Sequence, residues 1–308
     1  TRNAYLKKNE PNILEKKNEA IWFVENKVIK FSTDNQFIKN RFIRAKKLKG
    51  FVPKILDFKK NMYSYEKIQG HVLSNVVNSK LFENFLELCN KFWKKSELNY
   101  KKKISFNKRC KKFYYNKTLE RIELFYKNFK KKDGTEKING EKMPTLLNLI
   151  ENLDWEKLSD GYSGRFHGDF HFENILWLPK KKCFIFLDWR QDFAGDLKVG
   201  DVYYDLAKLL HGLIVSHESI VQNKFSIKWK KSEISFHLRQ KKKLKQCEKL
   251  LNAWCVKKNF SIKKVRILTS LIFLNIAALH HYPYSLFLYA LGKSMLKKEL
   301  YKKNEINY

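Results

Sequence analysis

The chain has 308 residues, enough for two lobes or domains, and its 44% hydrophobic content with 24 phenylalanines excludes a disordered polypeptide. The formal net charge of +33 is extreme, yet only nine of the 64 basic residues are arginine. Arginine supplies bidentate phosphate and base recognition, so the lysine excess argues against dedicated nucleic-acid reading and fits a coding bias that enriches Lys, Asn, Ile and Phe together.

Residues 13–31 alternate apolar and polar side chains around Glu25-Asn26-Lys27, which predicts a β-hairpin with strands at 20–24 and 28–31. Residues 35–49 place Phe37, Ile38, Phe42, Ala45 and Leu48 on one helical face, and Gly50 ends that helix. Residues 51–58 and 62–68 predict a second strand pair. From Gly70 onward the pattern is mainly helical, so a lobe boundary is expected near Gln69-Gly70, giving lobes at 1–68 and 69–308. Helical periodicity rich in aromatics covers 74–98 and 108–130. Residues 131–142 read as a charged loop, and 143–158 as a helix with Pro144 at its first position. A short hairpin is expected at 175–178 and 183–187, with an apolar strand on each side of Pro179 and a run of lysines. A helix capped by Asp201 follows to Leu213, then a surface hairpin within 217–240 and a helix over 241–257.

The cysteines at 89, 110, 183, 247 and 255 have no CxxC spacing, and no signal-like start is visible, so reduced thiols of a cytoplasmic protein are expected. Residues 267–292 contain no Asp, Glu, Lys or Arg. Asn275, His280, His281 and Pro283 interrupt them, leaving pieces shorter than the roughly 20 residues a membrane span needs, so two buried helices around Pro283 are expected.

Chemistry concentrates in residues 165–192. Antiparallel pairing of the hairpin there brings Asn174, at the start of one strand, to Asp188, at the end of the other, with Asp169 in the loop just before. Two carboxylates and an amide oxygen at one hairpin end suit hard cations and a hydroxyl proton. Asp169 to Asn174 is also the D-x-x-x-x-N spacing of a kinase catalytic loop. His167 is expected to brace that loop by hydrogen bonds rather than act as a base.

HGDFHFENIL, FIFLDWR and GDVYYDLAKL, in that order, resemble the aminoglycoside phosphotransferase/choline kinase family. The resemblance implies an α+β, bilobal protein-kinase-like fold, with a small β-rich N-terminal lobe for nucleotide and a larger helical lobe for catalysis and acceptor binding. It implies ATP and Mg²⁺ as cofactors, Asp169 as catalytic base with His167 and His171 beside it, and Asn174 and Asp188 as metal ligands. It further implies Lys30 as the strand lysine on the α- and β-phosphates and the backbone around Glu66 and Ile68 as the adenine-binding hinge. Asp205 becomes the buried aspartate that hydrogen-bonds the catalytic loop. Arg190, Asp192, His211, His280 and His281 are the acceptor-site candidates.

The chain departs from the family in three places. The segment 35–49 contains no glutamate to pair with Lys30, residues 13–22 contain no glycine-rich phosphate loop, and Trp189-Arg190 stands where protein kinases carry Phe-Gly. The last departure speaks for a fixed small-molecule site rather than a switched protein kinase. The expected activity is phosphorylation of a hydroxyl on a small polar metabolite, first a sugar or amino sugar for surface polysaccharide. The alternatives are choline or ethanolamine as acceptor, or a kinase-like binding protein without turnover. No specific nucleic-acid partner and no transmembrane segment are expected. The charge implies at most weak association with polyanions or membrane surfaces.

Overall fold

The computed structural model describes residues 18–302. Residues 13–17, part of the first expected hairpin and of the stretch without a glycine-rich loop, lie outside the described residues. Strands β1 (Glu19–Val24) and β2 (Lys27–Ser32) pair antiparallel around a turn in which Glu25 takes a φ of 48°. Helix α1 (Asn35–Lys47) starts where the Asp34 carboxylate accepts the Phe37 N–H, at 3.0 Å, and Gly50, at φ 89°, turns the chain away after it. Ile38, Ala45 and Leu48 are buried as the periodicity requires, and Phe42 stacks on Phe58 at 4.2 Å. Strands β3 (Ile55–Lys59) and β4 (Met62–Glu66) complete an antiparallel sheet of order β1-β2-β4-β3.

After Gly70 the short strand β5 (His71–Val72) joins a different sheet, and helices dominate. The helix expected over 74–98 is two helices, α2 (Leu73–Val76) and α3 (Ser79–Phe92). Asn78 separates them because its side chain caps a new start, accepting the Leu81 N–H at 2.9 Å. Helices α4 (Tyr100–Lys111) and α5 (Lys117–Phe129) are joined through one wide turn at Lys112–Asn116. Residues 131–142, expected as loop, contain most of a hairpin of strands β6 (Glu136–Ile138) and β7 (Glu141–Met143). Asn139 and Gly140, at φ 49° and 84°, form the tight turn that Asn-Gly favours, and Ile138 and Met143 are buried. Pro144 does not open the next helix. Thr145 caps α6 (Leu146–Glu151) and Asp154 caps α7 (Trp155–Ser159), so the expected single helix is two short ones.

Strand β8 (Ser163–Gly164) precedes the expected hairpin of β9 (Ile175–Leu178) and β10 (Cys183–Phe186), which pair with Ile175 opposite Phe186. Strand β11 (Gly200–Asp201) pairs with β8 and leads into α8 (Val202–Ile214), capped by Asp201 as the sequence indicates. A short α9 (His217–Val221) precedes the hairpin β12 (Phe225–Lys230) and β13 (Glu233–Leu238), and β13 runs parallel to β6. Helices α10 (Lys242–Lys257), α11 (Ile262–Ala277) and α12 (Tyr284–Tyr301) close the chain. The segment around Pro283 is thus the expected break between two buried helices. Among the described residues no helix is long and apolar enough to cross a membrane.

The architecture is α+β, with a β-rich N-terminal part and a mainly helical C-terminal part among the described residues. One buried cluster gathers α5, α6, α11 and α12. The other joins Val28, Tyr63 and Tyr65 of the N-terminal sheet to Phe85, Phe92, Phe186 and Trp189. All five cysteines are free, four of them buried.

Candidate active site

The β9–β10 hairpin delivers the expected convergence. The Leu187 N–H donates to the Asn174 carbonyl at 2.7 Å, one step beyond the last paired residues, so the Asn174 and Asp188 ends of the two strands lie side by side. Asn174 also donates from Nδ2 to the Asp169 carbonyl at 2.9 Å and to its carboxylate at 3.2 Å. Asp169 is half-buried, with Lys208 Nζ at 2.8 Å from one oxygen and His171 Nε2 at 3.5 Å from the other. Burial alone would raise its carboxyl, but the Lys208 ammonium and the His171 ring outweigh it and hold Asp169 well below the usual carboxylate range. Asp188 takes a φ of 55° and is held by Lys30 and, at 3.6 Å, by Arg41; together these cations overcome burial and lower its carboxyl too.

Beneath these groups a second layer fixes the loop. Asp205, wholly buried on α8, accepts the His167 and Gly168 N–H groups at 2.7 Å each and the Trp93 indole N–H at 3.0 Å. Burial pushes its carboxyl up to about 6 against those donors. His167 is buried and neutral: Nδ1 accepts the Asp169 N–H at 3.1 Å, so Nε2 carries the proton and donates to the Leu187 carbonyl at 2.8 Å. Burial lowers its pKa to about 3. Gly168 cannot be another residue, because its φ is 90° and an added Cβ would lie 2.5 Å from the Arg190 Cβ.

Lys30 on β2, the expected phosphate-contacting lysine, contacts Asp188 directly. Helix α1 supplies arginines where the family's glutamate would be expected. Arg41 lies beside Asp188, and Arg44 is buried with its guanidinium donating to the carbonyls of Phe166, His167 and Arg190. Glu66 ends β4 with its side chain exposed and its N–H bonded to the Lys54 carbonyl at 3.0 Å. The Ile68 backbone forms no hydrogen bond among the described residues.

The acceptor candidates separate. Arg190 packs on Gly168, with its guanidinium 5.0 Å from the Phe113 ring centre and Nε buried without a partner. His211, on α8 one turn beyond Lys208, lies 6.4 Å from His171 ring to ring; both its nitrogens are buried without a partner, and burial keeps it neutral. His280 packs on Tyr284 at 4.9 Å, whereas His281 is exposed in the turn before α12. Asp192 is spent on its own turn, accepting the Gly195 N–H at 2.9 Å. Asn275 bonds Thr118 at 3.2 Å in the core. Sequence reasoning passed over Arg41, Arg44, Trp93, Lys117 and Lys208.

No group of three or more His, Cys, Asp or Glu side chains able to hold a metal ion occurs among the described residues. One carboxylate and one amide oxygen fit Mg²⁺ all the same, since that ion keeps waters and takes its remaining ligands from substrate phosphates. The Asp188 side chain stays 39% exposed while paired with Lys30 and Arg41, so its carboxylate is open to such an ion.

No curated protein matches the chain significantly. Solved structures similar to it include a choline/ethanolamine kinase family protein from Mesorhizobium loti, 11% identical over 96% of this chain and 92% of that one, with a TM-score of 0.48. A Plasmodium vivax ethanolamine kinase is 14% identical over 96% and 83%, at 0.45. The gentamicin complex of APH(2")-IIa is 11% identical over 95% and 93%, at 0.40. Residues 118–225, which include all three motifs, match the family model of the phosphotransferase enzyme family (APH), and over that segment the chain bears the family's sequence pattern.

Proposed function

We propose that the protein transfers the γ-phosphoryl group of ATP, with Mg²⁺, to a hydroxyl of a small polar metabolite. The observation that carries this reading is the meeting of Asp169, Asn174 and Asp188 at one hairpin end, with Lys30 against Asp188. Phosphoryl transfer asks the protein to align the nucleophile and neutralise developing charge, with little covalent work. Asp169 accepts the hydrogen bond of the attacking hydroxyl. Its strongly acidic carboxylate makes it an orienting group that takes the proton late, once the P–O bond is forming. Asn174 and Asp188 would hold Mg²⁺, which supplies charge neutralisation on the β- and γ-phosphates. Lys30 would turn from Asp188 to the α- and β-phosphates, and the unused Ile68 backbone, with that of Glu66, would meet the adenine edge in the turn between lobes 1–68 and 69–308. Trp189, the residue after Asp188, is buried against Tyr63 and Tyr65 of β4 and so cannot swing out as a switched protein kinase's phenylalanine would. A sugar or amino sugar for surface polysaccharide is the first acceptor class to try, in the cytoplasm, where ATP is present and the five thiols stay free.

An ADP-release screen over sugars, amino sugars, polyols, choline and ethanolamine tests the reading. Asp169→Asn is expected to abolish ADP release while Mg·ATP still raises the melting temperature, and Asp188→Ala to lose that Mg²⁺-dependent stabilisation. ADP release that survives Asp169→Asn would overturn the assignment.

A further inference from the structure

Building on the phosphotransferase reading, we propose that the acceptor carries an anionic group, a carboxylate or a phosphate, bound by Lys117, Arg190 and Lys208 beside Asp169. The three cations come from separate parts of the chain and meet on one face of the site. Lys208 lies 2.8 Å from the Asp169 carboxylate. Tyr204, one turn earlier on α8, packs edge-on against Phe113 at 5.0 Å. Lys117 Nζ sits 4.7 Å from the Phe113 ring centre and 5.7 Å from that of Tyr204, and the Arg190 guanidinium lies 5.0 Å from Phe113. Arg190 is tied into the catalytic loop through its own N–H, which donates to the His167 carbonyl at 2.9 Å.

This grouping differs from the solvated lysines elsewhere on so basic a chain. Lys208 is buried, Lys117 and Arg190 are half-buried, and Arg190 Nε has no partner. Neither Lys117 nor Arg190 has a carboxylate within ion-pairing distance among the described residues, so Asp169 is the one carboxylate paired with these three cations. Burial depresses the Lys117 ammonium, helped by Arg190 and Lys208, and the cations together draw the buried Tyr204 hydroxyl down. Concentrated positive charge out of water is costly unless an anion completes it. A quaternary or primary amine would instead want acids or an aromatic box there, and would be repelled.

Matched acceptors test the class in the ADP-release assay: gluconate against sorbitol, glucuronate against glucose, glycerol 3-phosphate against glycerol, with glucosamine and ethanolamine as cationic members. The anionic member of at least one pair is expected to show kcat/KM at least about tenfold above its neutral partner, the worth of one charge-assisted contact. The carboxylate and phosphate pairs separate the two sources of charge. Lys117→Gln and Arg190→Gln are each expected to raise KM for that acceptor roughly tenfold while KM for ATP moves less than about twofold. Equal or better turnover of neutral or cationic members overturns the inference and leaves the phosphotransferase reading standing. If no member releases ADP, calorimetric titration of the same pairs into protein loaded with Mg²⁺ and a non-hydrolysable ATP analogue decides. Preferential binding of an anion that Lys117→Gln abolishes supports the inference, and no preference, including no binding, overturns it. Mg²⁺-dependent stabilisation by ATP reports separately on the phosphotransferase reading.

Discussion

At the scale of single residues, the loop that carries Asp169 hangs from two buried titrating groups whose shifts oppose each other. His167 ordinarily titrates near 6.5 but does so near 3 in the folded chain. The unfolded chain therefore binds a proton between those values that the folded chain refuses, so the His167 contribution to stability is present above 6.5 and falls with pH below it. Asp205 behaves the other way: its carboxyl is pushed from 3.8 up to about 6, so the folded chain keeps a proton the unfolded chain has released. Its contribution is present below 3.8 and is lost as pH rises through about 6. Between about 4 and 6 the two slopes cancel. Asp205→Asn removes the compensation as well as one acceptor for the His167 or Gly168 N–H, costing about 1–3 kcal/mol at neutral pH. Its deficit relative to the parent is then expected to widen by about 1.4 kcal/mol per pH unit on going from 6 to 4.5. Urea midpoints of the two proteins across that range measure it, and parallel profiles would show that the two groups do not offset one another.

At the scale of elements, α1 braces the loop that carries Asp169 through an arginine rather than a glutamate. Arg44 reaches three carbonyls of the loop and its flank with a planar fork, while its guanidinium lies 3.7 Å from the Phe166 ring centre. A lysine carries the same charge but cannot serve three acceptors in one plane or stack on the ring. Arg44→Lys is expected to lower kcat roughly tenfold or more through misplacement of Asp169, with KM for ATP little changed. Steady-state kinetics separate this from a change in nucleotide binding. The same helix shows what the sequence made legible and what it hid. Asp169, Asn174 and Asp188 are legible because spacing and flanking apolar strands mark them, whereas Lys30 is picked out only through the family resemblance. Arg44, Lys117 and Lys208 are not legible, because their partners lie far off in the chain and one lysine among so many carries no mark. Arg44 did leave a faint signal, as one of nine arginines, next to Ala45 on the buried face of α1. The β6–β7 hairpin was hidden differently: charge dominates residues 131–142, and only Asn139-Gly140 announced a turn.

At the scale of the whole molecule, the N-terminal sheet and the hairpin that carries Asp188 share one core, and Trp189 is its keystone. The side chain is 1% exposed, its indole N–H donates to the Arg41 carbonyl of α1 at 2.9 Å, and its ring lies 6.1 Å from Tyr63 and 6.2 Å from Tyr65 on β4. It is also the neighbour of Asp188, so the packing that joins the N-terminal sheet to the helical part sets the spacing between Lys30 and Asp188. The composition shift near Gly70 marked two parts of the chain, but nothing in a one-dimensional pattern says that Trp189 packs back across that shift. Trp189→Leu leaves a cavity and removes the indole hydrogen bond to the Arg41 carbonyl, and is expected to cost about 3 kcal/mol. Loosening the junction should also raise KM for ATP, because Lys30 and Asp188 then no longer face the phosphates from fixed positions, while Asp169 keeps its hold on Lys208 and Asn174. Urea unfolding and ATP kinetics, measured where the variant is still folded, decide the point. A loss of stability with KM for ATP unmoved would make Trp189 a core residue that leaves the two phosphate-side groups where they are.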